Sequence, residues 1–131
     1  MMKVVSWNYR GSGGSSKVEA IKYIIKYERP YLLLIQETKM LDVEAMSLSC
    51  LLWKNSKGKA ISSKGAYRGI ATIISFKFLV KSIREIHHWL LTEIQEKEDL
   101  TSLFICNVYG PTHYRDKTTF WDDINKLKED M

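Results

Sequence analysis

The sequence has few cysteines, which can cross-link a fold, and few prolines, which interrupt helices and strands. Its 131 residues include two prolines and two cysteines, and Cys50 and Cys106 form no CxxC pair. Neither a disulfide framework nor a structural zinc site is indicated, so we expect both thiols to be buried and reduced. No apolar run approaches the roughly 20 residues that cross a bilayer. We therefore expect an intracellular protein, nuclear or cytoplasmic, without a signal peptide or a membrane contact.

Acidic residues are missing from one long stretch of the chain. Residues 45–84 hold eight lysines and arginines and no aspartate or glutamate, whereas residues 85–131 hold five bases and ten acids. Such a basic block can contact a phosphate backbone, because each neutralised phosphate releases counterions. A solvated lysine face is the simpler alternative. The bases that we expect to meet DNA are Lys57, Lys59, Lys64 and Arg68.

The composition, with 45% apolar residues, is typical of one globular domain with its own core. The first third of the chain predicts a strand over residues 3–7, a helix over 16–29 and a strand over 31–35 that is apolar on both faces. This β-α-β order makes the two strands parallel neighbours. Asn8 and Glu37 then share the carboxyl edge of the sheet, where open α/β sheets bind their ligands.

The rest of the chain predicts further short elements. We expect a helix over residues 42–49, a strand over 50–53 and a basic loop over 58–69. Antiparallel strands and a closing amphipathic helix follow. The predicted ranges are 70–76, 80–88, 89–95 and 103–109 for the strands and 116–128 for the helix.

A glycine-rich segment, Gly11–Lys17, lies between the first predicted strand and helix, where phosphate-binding loops occur. It lacks the second glycine of GxxxxGK[ST] and the third glycine of GxGxxG. A flexible turn is the simpler interpretation, and a nucleotide-binding domain is one alternative for the whole chain.

Three motifs stand in order along the chain: Ser-Trp-Asn-Tyr-Arg-Gly at 6–11, Gln-Glu-Thr at 36–38 and Asn-Val-Tyr-Gly-Pro at 107–111. Together they resemble the endonuclease/exonuclease/phosphatase superfamily, which has the DNase I-like fold, and most closely the endonuclease domain of LINE-type non-LTR retrotransposons. The likeness covers residues 1–131 as one domain. It implies an α/β chain that forms the first half of a four-layer sandwich, with a mixed sheet and helices on one outer face.

The resemblance also implies Mg²⁺-dependent hydrolysis of DNA, with Mn²⁺ as a substitute. Glu37 matches the superfamily's metal-ligand glutamate, Asn8 the asparagine beside the metal, and Tyr109 the tyrosine that contacts the phosphate. A carboxylate at a strand end is a suitable Mg²⁺ ligand. Taken singly, Asn8 also fits a turn, Glu37 an exposed strand end and Tyr109 a core position.

Two segments of the superfamily, Gly-Asp-Phe-Asn and Ser-Asp-His, are missing from the sequence. His87, His88 and His113 are poor substitutes, because neighbours such as His87 and His88 point to opposite faces of a strand. Removing members of a catalytic unit lowers the rate by many powers of ten. We therefore expect a truncated domain that is inactive alone.

Two further expectations follow from this interpretation. Half of a sandwich would expose an apolar sheet face, which favours self-association or docking to another chain. The alternative to a nuclease is a non-catalytic nucleic-acid-binding module that uses the basic block at 45–84.

Overall fold

The computed structural model describes residues 3–8, 15–62, 69–86, 89–98 and 100–108, together with residues 121–122, 124–127 and 129 of a C-terminal helical segment. Seven strands, two helices and the C-terminal helical segment make up the described part, and a π-helical turn extends the first helix. The elements in chain order are β1 (Val4–Asn8), α1 (Ser15–Tyr23), the π turn (Ile24–Glu28), β2 (Leu32–Gln36), α2 (Asp42–Leu52), β3 (Lys57–Ile61), β4 (Ile70–Ile74), β5 (Phe78–Ile86), β6 (Trp89–Glu96) and β7 (Ser102–Asn107).

The first sheet is mixed and has the strand order β1-β2-β4-β3. Strands β1 and β2 are parallel, in a register that sets Val4 against Leu32 and Asn8 against Gln36. Strand β4 is antiparallel to both of its neighbours. The predicted β-α-β unit with adjacent parallel strands is therefore confirmed.

The second sheet is an antiparallel meander, β5-β6-β7, and it packs on the first sheet. The core between the sheets contains Leu32 and Ile74 from the first sheet and Phe78 and Ile94 from the second. The expectation that the first sheet would lack a covering sheet was wrong, because the two hairpins after β4 supply one.

Part of the inner face of β1 stays exposed, since β1 is an edge strand. Val4 aligns with the inner-face residue Leu32 and is 41% exposed, and Ser6 and Asn8 on the same face are also exposed. Docking or self-association through an exposed apolar face stays a prediction, and the apolar area on this strip is small.

Helices lie on the outer faces. Ile21 of α1 and Ala45 of α2 are buried in a core with Leu33 and Ile73, which point outward from the first sheet. Leu127 of the C-terminal segment is buried on the second sheet's outer face. The order of layers is therefore helices, sheet, sheet, helix. The predicted α/β class with a mixed sheet is confirmed. Helices lie on two outer faces, however, and not on the single outer face that we expected. No helix in the described ranges is long and apolar enough to span a membrane.

Two segments form a different type of element from the one that we expected. Residues 50–53 were expected to form a strand, but α2 continues to Leu52. Residues 58–61 were expected to lie in a loop, but they belong to β3, an edge strand of the kind that often carries lysines. Gly58 allows β3 to approach β4, since a Cβ there would lie 2.1 Å from the carbonyl oxygen of Thr72.

The two cysteines differ in their surroundings. The expectation that both are buried was wrong, because Cys50 is exposed near the end of α2, where its apolar neighbours in sequence suggested a core strand. Cys106 is half-buried on β7, and burial raises the pKa of its thiol to about 11. Burial has this effect because it disfavours the charged thiolate.

Thiol labelling at pH 7.5 should therefore modify one cysteine quickly. The thiolate is the reactive form, so Cys50 reacts in the folded chain and Cys106 reacts only in denaturant or as the pH approaches its raised pKa. Counting thiols with a chromogenic disulfide reagent should give one fast thiol, which Cys50→Ser removes. Two fast thiols at pH 7.5 would contradict the burial of Cys106.

Candidate functional site

The carboxyl ends of β1 and β2 form one edge of the first sheet. Asn8 is the last residue of β1 and aligns with Gln36, the last residue of β2, and Glu37 follows directly. Asn8 is exposed, whereas Glu37 is half-buried. The prediction that Asn8 and Glu37 share one edge is confirmed. We call Asn8, Gln36, Glu37 and the adjacent Asn107 the carboxyl rim.

Asn107, at the end of β7, joins the two sheets at this rim. Its side chain is buried, and its Nδ2 donates to the carbonyl oxygen of Ala71 at 2.8 Å and to Oγ1 of Thr72 at 3.2 Å. A longer contact of 3.4 Å reaches the carbonyl oxygen of Ile35. One side chain of the second sheet therefore binds two strands of the first.

Gln36 completes the connection from the other side. Its Nε2 lies 2.9 Å from Oδ1 of Asn107 and 3.1 Å from Oγ of Ser6, and can donate to both. The side chains of Ser6, Gln36 and Asn107 come from the three sequence motifs, which therefore meet at one place. Sequence reasoning did not assign Gln36 or Asn107 a role, although a polar residue at the end of an apolar strand was a usable signal.

The backbone at Glu37 is in a sparsely populated conformation. Its φ is 55°, in the left-handed region that costs a non-glycine residue roughly 1–2 kcal/mol. Such residues cluster at functional sites. The next residue, Thr38, is buried, and its amide donates to the carbonyl oxygen of Gly69 at 3.2 Å. Gly69 itself has φ 83°, which suits a glycine.

The rim offers few charged ligands for a metal ion. No group of three or more His, Cys, Asp or Glu side chains that could hold a metal occurs among the described residues. Glu37 offers one carboxylate and Asn8 one amide oxygen. This donor set fits Mg²⁺, which often takes one or two carboxylates and completes its octahedron with water and substrate phosphate.

The remaining predicted residues fall into two groups. Lys57 and Lys59 are exposed on β3, the edge strand opposite β1, which is about 14 Å away across the sheet. The others lie outside the described residues, so their predicted roles stay predictions. This second group consists of Tyr109, Lys64, Arg68, the three histidines and the glycines of the Gly11–Lys17 segment.

No protein-family model and no curated protein matches the chain. Several solved structures do match the chain. The AP endonuclease LMAP from Leishmania major aligns with 82% of this chain and 40% of its own, at 19% identity and a TM-score of 0.61. The catalytic domain of human Nocturnin, with bound sulfate anion, aligns with 88% of this chain and 53% of its own, at 14% identity and a TM-score of 0.62.

A functionally unknown conserved protein from Enterococcus faecalis V583 aligns with 98% of this chain and 61% of its own, at 14% identity and a TM-score of 0.74. The chain therefore spans less than two thirds of the length of each of these proteins. At these identities the likeness shows the fold. It is the DNase I-like α/β fold that the three motifs led us to expect.

The side-chain hydrogen bonds of Asn107 should stabilise the fold strongly, and Thr92 provides a control. Asn107→Leu should lower the free energy of unfolding by about 3 kcal/mol, because it leaves buried polar partners unpaired. Thr92 is fully buried between the sheets, and its Oγ1 has no hydrogen-bond partner. Thr92→Val should therefore raise stability by about 1 kcal/mol.

Urea unfolding followed by circular dichroism measures both changes. Equal destabilisation of the two variants would contradict the stabilising role that we assign to the Asn107 hydrogen bonds.

Proposed function

We propose that these residues belong to a Mg²⁺-dependent DNA endonuclease domain of the LINE retrotransposon type. In this proposal the carboxyl rim binds the scissile phosphate and the metal, and the 131 residues do not cleave DNA by themselves. The nuclease- and phosphodiesterase-like fold supports the general class. The motifs resembling retrotransposon endonucleases support the finer assignment.

The observation that carries the proposal is the convergence of the three motifs. Asn8 and Gln36 align in register, and Gln36 is hydrogen-bonded to Asn107, two residues before Tyr109. Catalytic groups must be held in a narrow range of positions, since small displacements cost large rate factors. The hydrogen bonds of Gln36 to Asn107 and Ser6 would restrict the position of the next residue, Glu37.

Each rim residue then has a role that its chemistry allows. Glu37 would supply a carboxylate oxygen to Mg²⁺, and Asn8 would supply an amide that orients the metal or a phosphate oxygen. The ion, when bound, would polarise the phosphate and offset its charge. Tyr109 would contact the phosphate through its hydroxyl. Ser6, Gln36 and Asn107 act as positioning residues, because their side chains bind one another.

Cleavage needs more groups than the rim provides. Phosphodiester hydrolysis requires a positioned water and a group that accepts its proton, in addition to the metal. The Gly-Asp-Phe-Asn and Ser-Asp-His segments that would supply them are not in the sequence. Binding without measurable turnover is therefore the expected behaviour of these residues.

Glu37→Gln tests the metal role. This change keeps the shape of the side chain and removes its charge, so Mn²⁺ binding should weaken about tenfold or more, equivalent to roughly 1.4 kcal/mol. Titration of free Mn²⁺ by electron paramagnetic resonance measures this directly. Supercoiled plasmid in Mg²⁺ should remain uncut, and nicking abolished by Glu37→Ala would instead show residual catalysis.

The control for Glu37→Gln is Glu98→Gln, an exposed carboxylate in the turn between β6 and β7. It should leave Mn²⁺ binding unchanged. Equal Mn²⁺ affinity in the Glu37 and Glu98 variants would remove Glu37 from the proposed site.

A second candidate function is a non-catalytic nucleic-acid-binding module. All six described bases of the 45–84 block are exposed, and within the described residues none of them forms an ion pair. Free lysines on an edge strand are well placed to meet a phosphate backbone. These six bases are Lys54, Lys57, Lys59, Lys77, Lys81 and Arg84.

Lys57→Ala combined with Lys59→Ala tests this module. If both lysines contact phosphates of duplex DNA, the slope of log affinity against log salt should become shallower by about 1.8. Fluorescence anisotropy at several salt concentrations measures the slope. Lys97→Ala combined with Lys126→Ala removes two exposed lysines outside the block and should leave the slope unchanged. A pure module would also bind DNA equally well after Glu37→Ala.

A further inference from the structure

Two tyrosines stand exposed on the outer side of the first helix. Tyr23 is 62% exposed and Tyr27 is 60% exposed, with ring centroids 4.5 Å apart and ring planes tilted by 41°. The apolar side chains of the same helical segment, Ile21, Ile24 and Ile25, pack into the core. The tyrosine rings are therefore not needed to bury this helix, and they present aromatic surface to solvent.

Positive charge accompanies these rings. The ammonium of Lys26 lies 5.3 Å from the centroid of the Tyr27 ring, and Arg29 is exposed at the end of the π turn. The nearby acids are already paired: Glu19 with Lys22 at 3.5 Å, and Glu28 with Lys3. Lys26 and Arg29 form no ion pair with any described residue, so this surface carries uncompensated positive charge.

We propose that this surface, Tyr23, Lys26, Tyr27 and Arg29, binds single-stranded nucleic acid. Unpaired bases would stack on the tyrosine rings, and Lys26 and Arg29 would neutralise the phosphates on either side. We call this four-residue surface the aromatic-basic face. Stacking on an aromatic side chain suits any base and is the usual way in which proteins hold single strands. A duplex cannot use these rings, because its base faces are already stacked.

The aromatic-basic face is separate from the carboxyl rim, so this inference goes beyond the proposed function. Strand β2 starts three residues beyond the π turn and reaches the rim at Gln36, a length of about 17 Å. Tyr27 lies within the π turn, and π-helical turns are frequent at functional sites. A nuclease with both surfaces would hold an unpaired segment next to the strand bound at its rim.

The test compares two fluorescent probes on the intact chain, a (dT)12 oligonucleotide and a 12-base-pair duplex, by anisotropy. Tyr23→Leu with Tyr27→Leu keeps apolar side chains but removes the rings. It should weaken (dT)12 binding about tenfold or more, because each lost ring removes the stacking of a base. Duplex binding should change less than about twofold. Thermal unfolding of the variant checks that it is folded.

Two further variants separate stacking from charge. Tyr23→Phe with Tyr27→Phe keeps the rings and should retain (dT)12 affinity within about twofold. Lys26→Gln with Arg29→Gln should make the salt dependence of (dT)12 binding shallower by about 1.4 in the logarithmic slope.

The proposal is overturned if the leucine variant is folded and binds (dT)12 like the wild type, or if it loses duplex binding to the same extent. A third result would also overturn it. In that result (dT)12 does not bind, whereas the acidic peptide poly-glutamate binds the wild type and does not bind the leucine variant. Glu98→Gln changes an exposed acid outside both surfaces and should leave (dT)12 affinity unchanged. Mn²⁺ binding that is unchanged by Glu37→Gln would count against the proposed function alone. Binding of (dT)12 that is unchanged by Tyr23→Leu with Tyr27→Leu would count against this inference alone.

Discussion

The side-chain amide of Asn107 is the contact on which the candidate site depends. Its Nδ2 and Oδ1 both bind groups of the first sheet, although Asn107 itself lies at the end of the second. A buried amide with its hydrogen bonds made tolerates one relative position of the two sheets, because a shift would leave polar groups unpaired in a low-dielectric interior. This constraint fixes the position of Gln36, and through the backbone it fixes Glu37.

The space between the sheets changes character along its length. Away from the rim it is filled by Leu32, Ile74, Phe78 and their apolar neighbours, whose burial drives folding. At the rim it is filled by hydrogen-bonded side chains, of which Gln36 and Asn107 are the centre. The apolar end of the interface between the sheets therefore provides stability, and the polar end fixes the geometry of the site. Glu37, whose φ lies in the left-handed region, is held at the polar end.

The three candidate binding surfaces lie on separate elements. The lysines of the basic block include two on the edge strand β3, while the exposed tyrosine pair lies on the helix that follows β1. The rim lies on a third set of elements, at the carboxyl ends of the parallel strands β1 and β2. Because these surfaces use different elements, each can be altered without moving the core residues that support the others.

Local pattern determined the β-α-β unit, the parallel strands and the shared edge of Asn8 and Glu37, because chain connectivity and handedness leave one arrangement for short α/β crossovers. Pattern misassigned β3 and the end of α2, where Gly58 and Cys50 carry no decisive local signal. Only the tertiary structure decided which residues join the sheets. The hydrogen bonds of Asn107 to strands more than thirty residues away depend on packing between sheets, and no local preference of the chain encodes that contact.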